Sequence, residues 1–100
     1  MKILDTMARE GFEQVVALCD PSCGLASFMV LHDTTRGPAT GGIRLFPYQT
    51  EEEALIDGFK LARAMTYKAA AADLPVGGGK IVLIDNTDLV REDALRAVGC

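Results

Sequence analysis

Three glycines and a lysine, Gly77-Gly78-Gly79-Lys80, stand between a helix-forming segment and a short apolar run. No other feature of the chain restricts its fold as tightly. Glycine loops that hold phosphates run the other way, from a strand through the glycines into a helix. A Walker loop needs glycine at position 74 and serine or threonine at 81, where this chain has Leu74 and Ile81. The dinucleotide fingerprint needs glycine at 82, where Val82 stands. Phosphate binding is rejected on both counts. A helix returning through a glycine loop into a strand is predicted instead.

The helix has a clear start. Thr50-Glu51-Glu52-Glu53 is a capping box, in which the Thr50 hydroxyl accepts from the Glu53 backbone N–H and Glu53 reaches back. Its acidic first turn suits the positive helix terminus. Leu55, Phe59, Ala62 and Met65 then recur at helical spacing, and alanines carry the helix to about Ala72. Asp73-Leu74-Pro75 ends it. After the glycines, Ile81 to Ile84 reads as a strand closed by Asp85-Asn86. Upstream, Lys2 to Glu10 reads as a short helix, and Phe12 to Cys19 as a strand. A turn at Asp20-Pro21-Ser22-Cys23-Gly24 leads to a second, central strand from Leu25 to His32, the two forming an antiparallel hairpin. Ile43 to Phe46 is a short third strand. Thr87 or Asp88 caps a last helix with Leu89, Leu95 and Val98 on one side. That helix stops at Gly99-Cys100 with no polar tail, so the chain is expected to be cut from something longer.

Lysines flank the glycines in space as well as in sequence. Met65 and Lys68 lie three apart on one helix face, and the return through Gly77–Gly79 can bring Lys80 to the same cavity. Glycines there permit positive φ and close approach. Two adjacent ammonium groups disfavour each other's protonation, so one can titrate near neutrality while the other holds a carboxylate. The residue pattern alone also permits two ordinary solvated lysines.

Composition removes several other functions. The net charge of -4 and pI near 4.8 oppose a nucleic-acid or anionic-membrane surface. No stretch is long enough to span a bilayer, and the first residues lack a signal peptide, so a cytoplasmic protein is expected. Cys19, Cys23 and Cys100 have no CxxC spacing, and with His32 alone they do not make a zinc site; reduced structural thiols and no metal are expected. His32, at a strand end, is read as a satisfied structural histidine.

Three blocks then fix a resemblance: Gly37–Arg44 (GPATGGIR), Leu61–Lys68 (LARAMTYK) and Ala71–Lys80 (AADLPVGGGK), preceded by His32–Thr35 (HDTT). In this order and spacing they resemble the amino-terminal domain of the glutamate/leucine/phenylalanine/valine amino-acid dehydrogenase family, nearest its leucine-using members. The resemblance covers essentially all of residues 1–100. It implies an α/β (α+β-like) fold, a single domain with a mixed β-sheet flanked by helices, serving substrate binding and dimerisation, truncated at its C-terminus and without the Rossmann domain. The implied activity is oxidative deamination of an L-amino acid with NAD, giving a 2-oxo acid, ammonia and NADH.

By the same resemblance, Lys68 holds the substrate α-carboxylate with help from the backbone at Gly41 and Gly42. Lys80 is the general acid and base, and Met65 and Thr40 line the substrate pocket. Glutamate-using members carry a lysine in the first block. None occurs between Gly37 and Arg44 here, so an apolar substrate, branched-chain or aromatic, is expected. A catalytic aspartate and the NAD-binding domain lie beyond position 100 in the family, so the fragment alone is expected to be inactive. Two other readings stand beside this one: an oligomerisation module that pairs through the edge at Phe12–Cys19, and a stand-alone binder of small carboxylates.

Overall fold

The computed structural model describes residues 1–86 and 89–97. Among them the elements run α1 (Ile3–Glu10), β1 (Gln14–Asp20), β2 (Leu25–Asp33), β3 (Ala39–Thr40), β4 (Ile43–Phe46), α2 (Glu51–Ala71), β5 (Gly77–Ile84) and α3 (Arg91–Ala97). They form one mixed α/β domain. The sheet order is β1-β2-β5-β3, with β4 also on β5. β1, β2 and β5 are antiparallel neighbours, whereas β3 and β4 lie parallel to β5. Parallel neighbours need a crossover, and α2 provides it between β4 and β5.

The predicted capping box forms. Thr50 Oγ1 accepts from the Glu53 N–H at 3.0 Å, while Glu53 Oε2 accepts from the Gln49 N–H, one residue before the cap, at 3.0 Å. Twenty-one residues later the helix closes in a Schellman motif. Leu74 N–H donates to the Ala69 carbonyl and Asp73 N–H to the Ala70 carbonyl. Asp73 takes the left-handed conformation, φ 55°, at the position where glycine is usual.

β5 is buried on both faces, which is why Ile81–Ile84 is apolar without alternation. Val82 faces α2, where a Cβ on Gly58 would lie 3.5 Å from its methyl, and Leu83 faces the other way. Val82 is completely buried and Leu83 nearly so. One core accordingly joins α2 to the sheet through Phe12, Val30, Leu55, Phe59 and Ala62. The second joins α3 to the opposite face through Cys23, Leu25, Leu83 and Ala94.

Several boundaries differ from expectation. Phe12 precedes β1; both it and Gly11 donate to the Met7 carbonyl, and its ring fills the α2 core. Burial of an aromatic under α1 thus overrides the strand-like alternation that begins only at Gln14. Gly77–Gly79 are strand residues, not a loop, and none has positive φ. The apolar stripe of α2 passes from Ala62 through Thr66 to the buried Ala69, leaving Met65 half-buried at its margin. In α3 the buried residue is Ala94, and Leu95 is exposed, because Ala94 is the residue that meets Leu83 and Leu25. The Thr87 or Asp88 cap, Val98 and Cys100 lie outside the described residues.

Candidate functional site

The glycines of β5 are there for close approach. A Cβ on Gly78 would stand 2.2 Å from both the backbone nitrogen and the hydroxyl of Thr66, and 2.4 Å from the Ala62 carbonyl. Any side chain at this position would push α2 off the sheet. Helix and strand therefore touch backbone to backbone, with Thr66 two residues before Lys68 and Gly78 two residues before Lys80.

His32 completes this junction. The β2–β5 register slips between Leu31, opposite Gly79, and Asp33, opposite Gly78, leaving His32 as the extra residue of a bulge. Its ring is buried, lies edge-on to Phe12 at 4.6 Å between centroids, and has Nδ1 2.8 Å from Thr66 Oγ1. The expected satisfied histidine is found. Just beyond it, Glu13 accepts from the Thr34 N–H and hydroxyl, each at 2.6 Å. Thr35 N–H donates to Asp33 at 2.8 Å, and the hydrogen bonds from Thr35 hold the Asp33 carboxyl below its ordinary range.

On the other side of β5, β3 and β4 continue a single register: Ala39 faces Gly77 and Ile43 faces Ile81, four residues on in both strands. Regular strand structure stops only at Gly41-Gly42, which lie opposite Gly79 and Lys80. Both glycines are exposed, and a Cβ on Gly42 would be 3.4 Å from Lys80 Nζ. The bare backbone at Gly42 thus leaves room for the amine to lie across it.

A cavity of about 360 Å³ opens here, within the range of small-molecule sites. Met29, Leu31, Ile43 and Ile81 give it apolar walls. Thr40, Gly41, Gly42 and Lys80 also line it, with the Lys80 side chain turned, like Val82, to the α2 face of β5 and Ile81 to the cavity face. The structure therefore gathers four of the predicted site residues around one space. Met65, half-buried, and Lys68, exposed near the end of α2, do not line that cavity.

Among the described residues the arginines other than Arg9 pair with carboxylates, and the lysines do not. Arg36, Arg44, Arg63, Arg91 and Arg96 each pair with a carboxylate. Asp57 receives both Arg44 Nε at 3.0 Å and the Tyr48 hydroxyl, tying α2 to the end of β4. Burial, and then that carboxylate, push the Tyr48 phenol up to about 12. Neither Lys68 nor Lys80 has an ion-pair or hydrogen-bond partner among the described residues. Both are free to meet an external anion.

Residues 13–99 match the family described as Glu/Leu/Phe/Val dehydrogenase, dimerisation domain. The chain belongs to this family. It is 46% identical over 99 residues to the L-tryptophan dehydrogenase of Nostoc punctiforme, covering 99% of the chain and 28% of that protein. It is also 46% identical over 100 residues to the leucine dehydrogenase of Thermoactinomyces intermedius, covering 99% and 27%. A crystal structure of the Nostoc punctiforme L-tryptophan dehydrogenase superposes with a TM-score of 0.89 at 44% identity, covering 97% of this chain and 29% of that one. The chain thus spans under a third of the length of these relatives.

A nicotinamide dinucleotide does not fit the described residues. Gly77–Gly79 lie buried inside a strand that continues to Ile84, so these glycines do not open a helix N-terminus. Among the described residues no group of His, Cys, Asp and Glu could hold a metal ion, and Cys19 and Cys23 are free thiols. No described helix is long and apolar enough to cross a membrane.

Thr66, at the contact of α2 with Gly78 and His32, is not among the residues that the sequence motifs single out. Its signal was present: a hydroxyl on the apolar stripe, four residues after Ala62, in a helix that must pack on a strand opening with glycines.

Proposed function

We propose that this domain is the substrate-binding part of an NAD-dependent L-amino-acid dehydrogenase that converts an apolar L-amino acid, water and NAD+ to the 2-oxo acid, ammonium, NADH and a proton. The observation that carries the reading is the half-buried Lys80 amine beside Gly42 on the α2 face of β5, two residues beyond the Gly78–Thr66 contact from which α2 runs on to Lys68. Such a cation beside bare backbone suits a ligand that brings a carboxylate. The relatives named above, which act on tryptophan and leucine, point to the same class of substrate.

In this reading Lys68 holds the α-carboxylate, aided by backbone N–H groups at Gly41 and Gly42. Lys80 takes a proton from the water that attacks the imino carbon and returns one to the departing nitrogen. Thr40 and Met65 border the side chain. The absence of a lysine between Gly37 and Arg44 disfavours a second carboxylate on the substrate. When bound by a further domain, the nicotinamide accepts the hydride. The domain also supplies subunit contacts, in keeping with the family's description as a dimerisation domain, and the enzyme works in the cytoplasm.

The test uses the complete polypeptide carrying this domain, offered L-leucine, L-tryptophan or L-glutamate with NAD+. The reading predicts reduction of NAD+ with the apolar substrates and little with glutamate. Equal turnover of glutamate would overturn the assignment of the apolar class. No turnover of any amino acid would leave a carboxylate-binding or oligomerisation module as the better description.

A further inference from the structure

We infer that His32 and Thr66 are positioning residues for the two-lysine site, an inference that rests on the reading above. Their hydrogen bond sets where the end of α2 lies along β5, and so where Lys68 stands relative to Lys80 and Gly42.

Three observations converge on this pair. First, the strand side of the contact has no side chains to interlock. Thr66 packs on Gly78, and the residues on either side of Gly78 are also glycines. Bare backbone lets the helix come close but leaves it able to slide or rotate, because packing of this kind is not directional. Second, among the described residues the His32–Thr66 bond, at 2.8 Å, is the one side-chain hydrogen bond from the last three turns of α2 to the sheet. The Asp57 cluster holds the other end of the helix, more than two turns away. Third, His32 reaches Thr66 from a bulge, a local departure from regular pairing that re-aims a side chain. A histidine required only for packing would not need the register of β2 to slip beside Gly78.

The chain of contact is short. His32 is held edge-on by Phe12, which also packs on Phe59 of α2. Thr66 is two residues from Lys68, and Gly78 beneath it is two residues from Lys80. Loss of the hydroxyl frees this end of α2 while the apolar contacts at Leu55, Phe59 and Ala62 still hold the fold. Displacements of an ångström at a site of this kind are enough to slow chemistry strongly.

The experiment measures kcat and KM for amino acid and for NAD+ in the complete enzyme with Thr66→Val, Thr66→Ser, His32→Phe and the Thr66→Val/His32→Phe double variant. Valine keeps the shape of threonine and removes the hydroxyl; phenylalanine keeps the ring on Phe12 and removes Nδ1. Each single variant is expected to lower kcat/KM for the amino acid about tenfold or more, with KM for NAD+ unchanged. Thr66→Ser should restore it to within about twofold. The double variant should lose no more than either single, as expected of partners in one interaction. Variants that melt at lower temperature yet keep amino-acid kcat/KM would show a purely structural bond and overturn the inference. Independent, additive losses would overturn it too. Lys80→Ala, assayed alongside, separates the two levels of argument. If Lys80→Ala is inactive and Thr66→Val normal, the inference alone fails. If Lys80→Ala turns over normally, the lysine reading fails and takes the inference with it.

Discussion

The Lys80 amine lies across Gly42, at a place where one added methyl group would stand 3.4 Å from Nζ. Gly42 lies between β3 and β4, and stands across from Lys80 of β5 in line with Ile43 opposite Ile81. The φ of Gly42 is not in the positive region, and a methyl group here would stand at ordinary contact distance from the amine, in the exposed space where a ligand carboxylate would lie. Gly42→Ala should therefore fold with nearly unchanged stability while crowding the amine and any carboxylate beside it. In the complete enzyme we expect kcat/KM for the amino acid to fall at least about tenfold, with the melting temperature little changed. Steady-state kinetics and thermal denaturation of the same preparation check both halves.

Gly78→Ala should behave in the opposite manner. Its Cβ would meet the Thr66 backbone nitrogen at 2.2 Å, and backbone cannot move aside as a flexible side chain can. The helix must lift or the strand must shift. Overpacking of this severity costs on the order of 3 kcal/mol, and urea denaturation would measure it. Wild-type stability in Gly78→Ala would contradict the packing described at this junction.

These two glycines show what the sequence makes legible. The order helix, glycines, strand is enough to reject a phosphate loop, and the Thr50 box marks the helix start because capping is a local interaction. Lys80, Thr40, Gly41 and Gly42 line one cavity, whereas Lys68 and Met65, expected beside them, do not. What local pattern does not reveal is why the glycines are needed. Gly77–Gly79 suggest a loop in sequence, yet they lie in β5; Gly78 is confined by α2 at Thr66, Gly77 by the backbone at Asp33, and Gly79 by Leu31 and Ala39. Likewise Ala39–Thr40 form a strand only through β5, since two residues carry too little periodicity to announce one. The bulge at His32 is a matter of register between distant strands, which spacing along one chain does not encode.

Tyr48 provides a prediction about pH. Its phenol is raised from 10.0 to about 12, first by burial and then by the Asp57 carboxylate. A raised value in the folded state means that the neutral phenol is favoured there. The stabilisation is whole below about pH 10 and is lost as pH rises through about 12. In the difference between the titrations of the unmodified protein and Tyr48→Phe, the phenolate absorbance should rise near pH 12. Titration near 10 would contradict the enclosed Tyr48–Asp57 contact. Tyr48→Phe should flatten the fall in stability across the same interval.

The central claim, that Lys68 holds the substrate and Lys80 transfers protons, is tested most directly by replacing each lysine in the complete enzyme and following NADH formation together with amino-acid binding. Lys68→Ala is expected chiefly to raise KM for the amino acid. Lys80→Ala is expected to abolish turnover while the amino acid still binds. Near-normal turnover by Lys80→Ala would contradict the account.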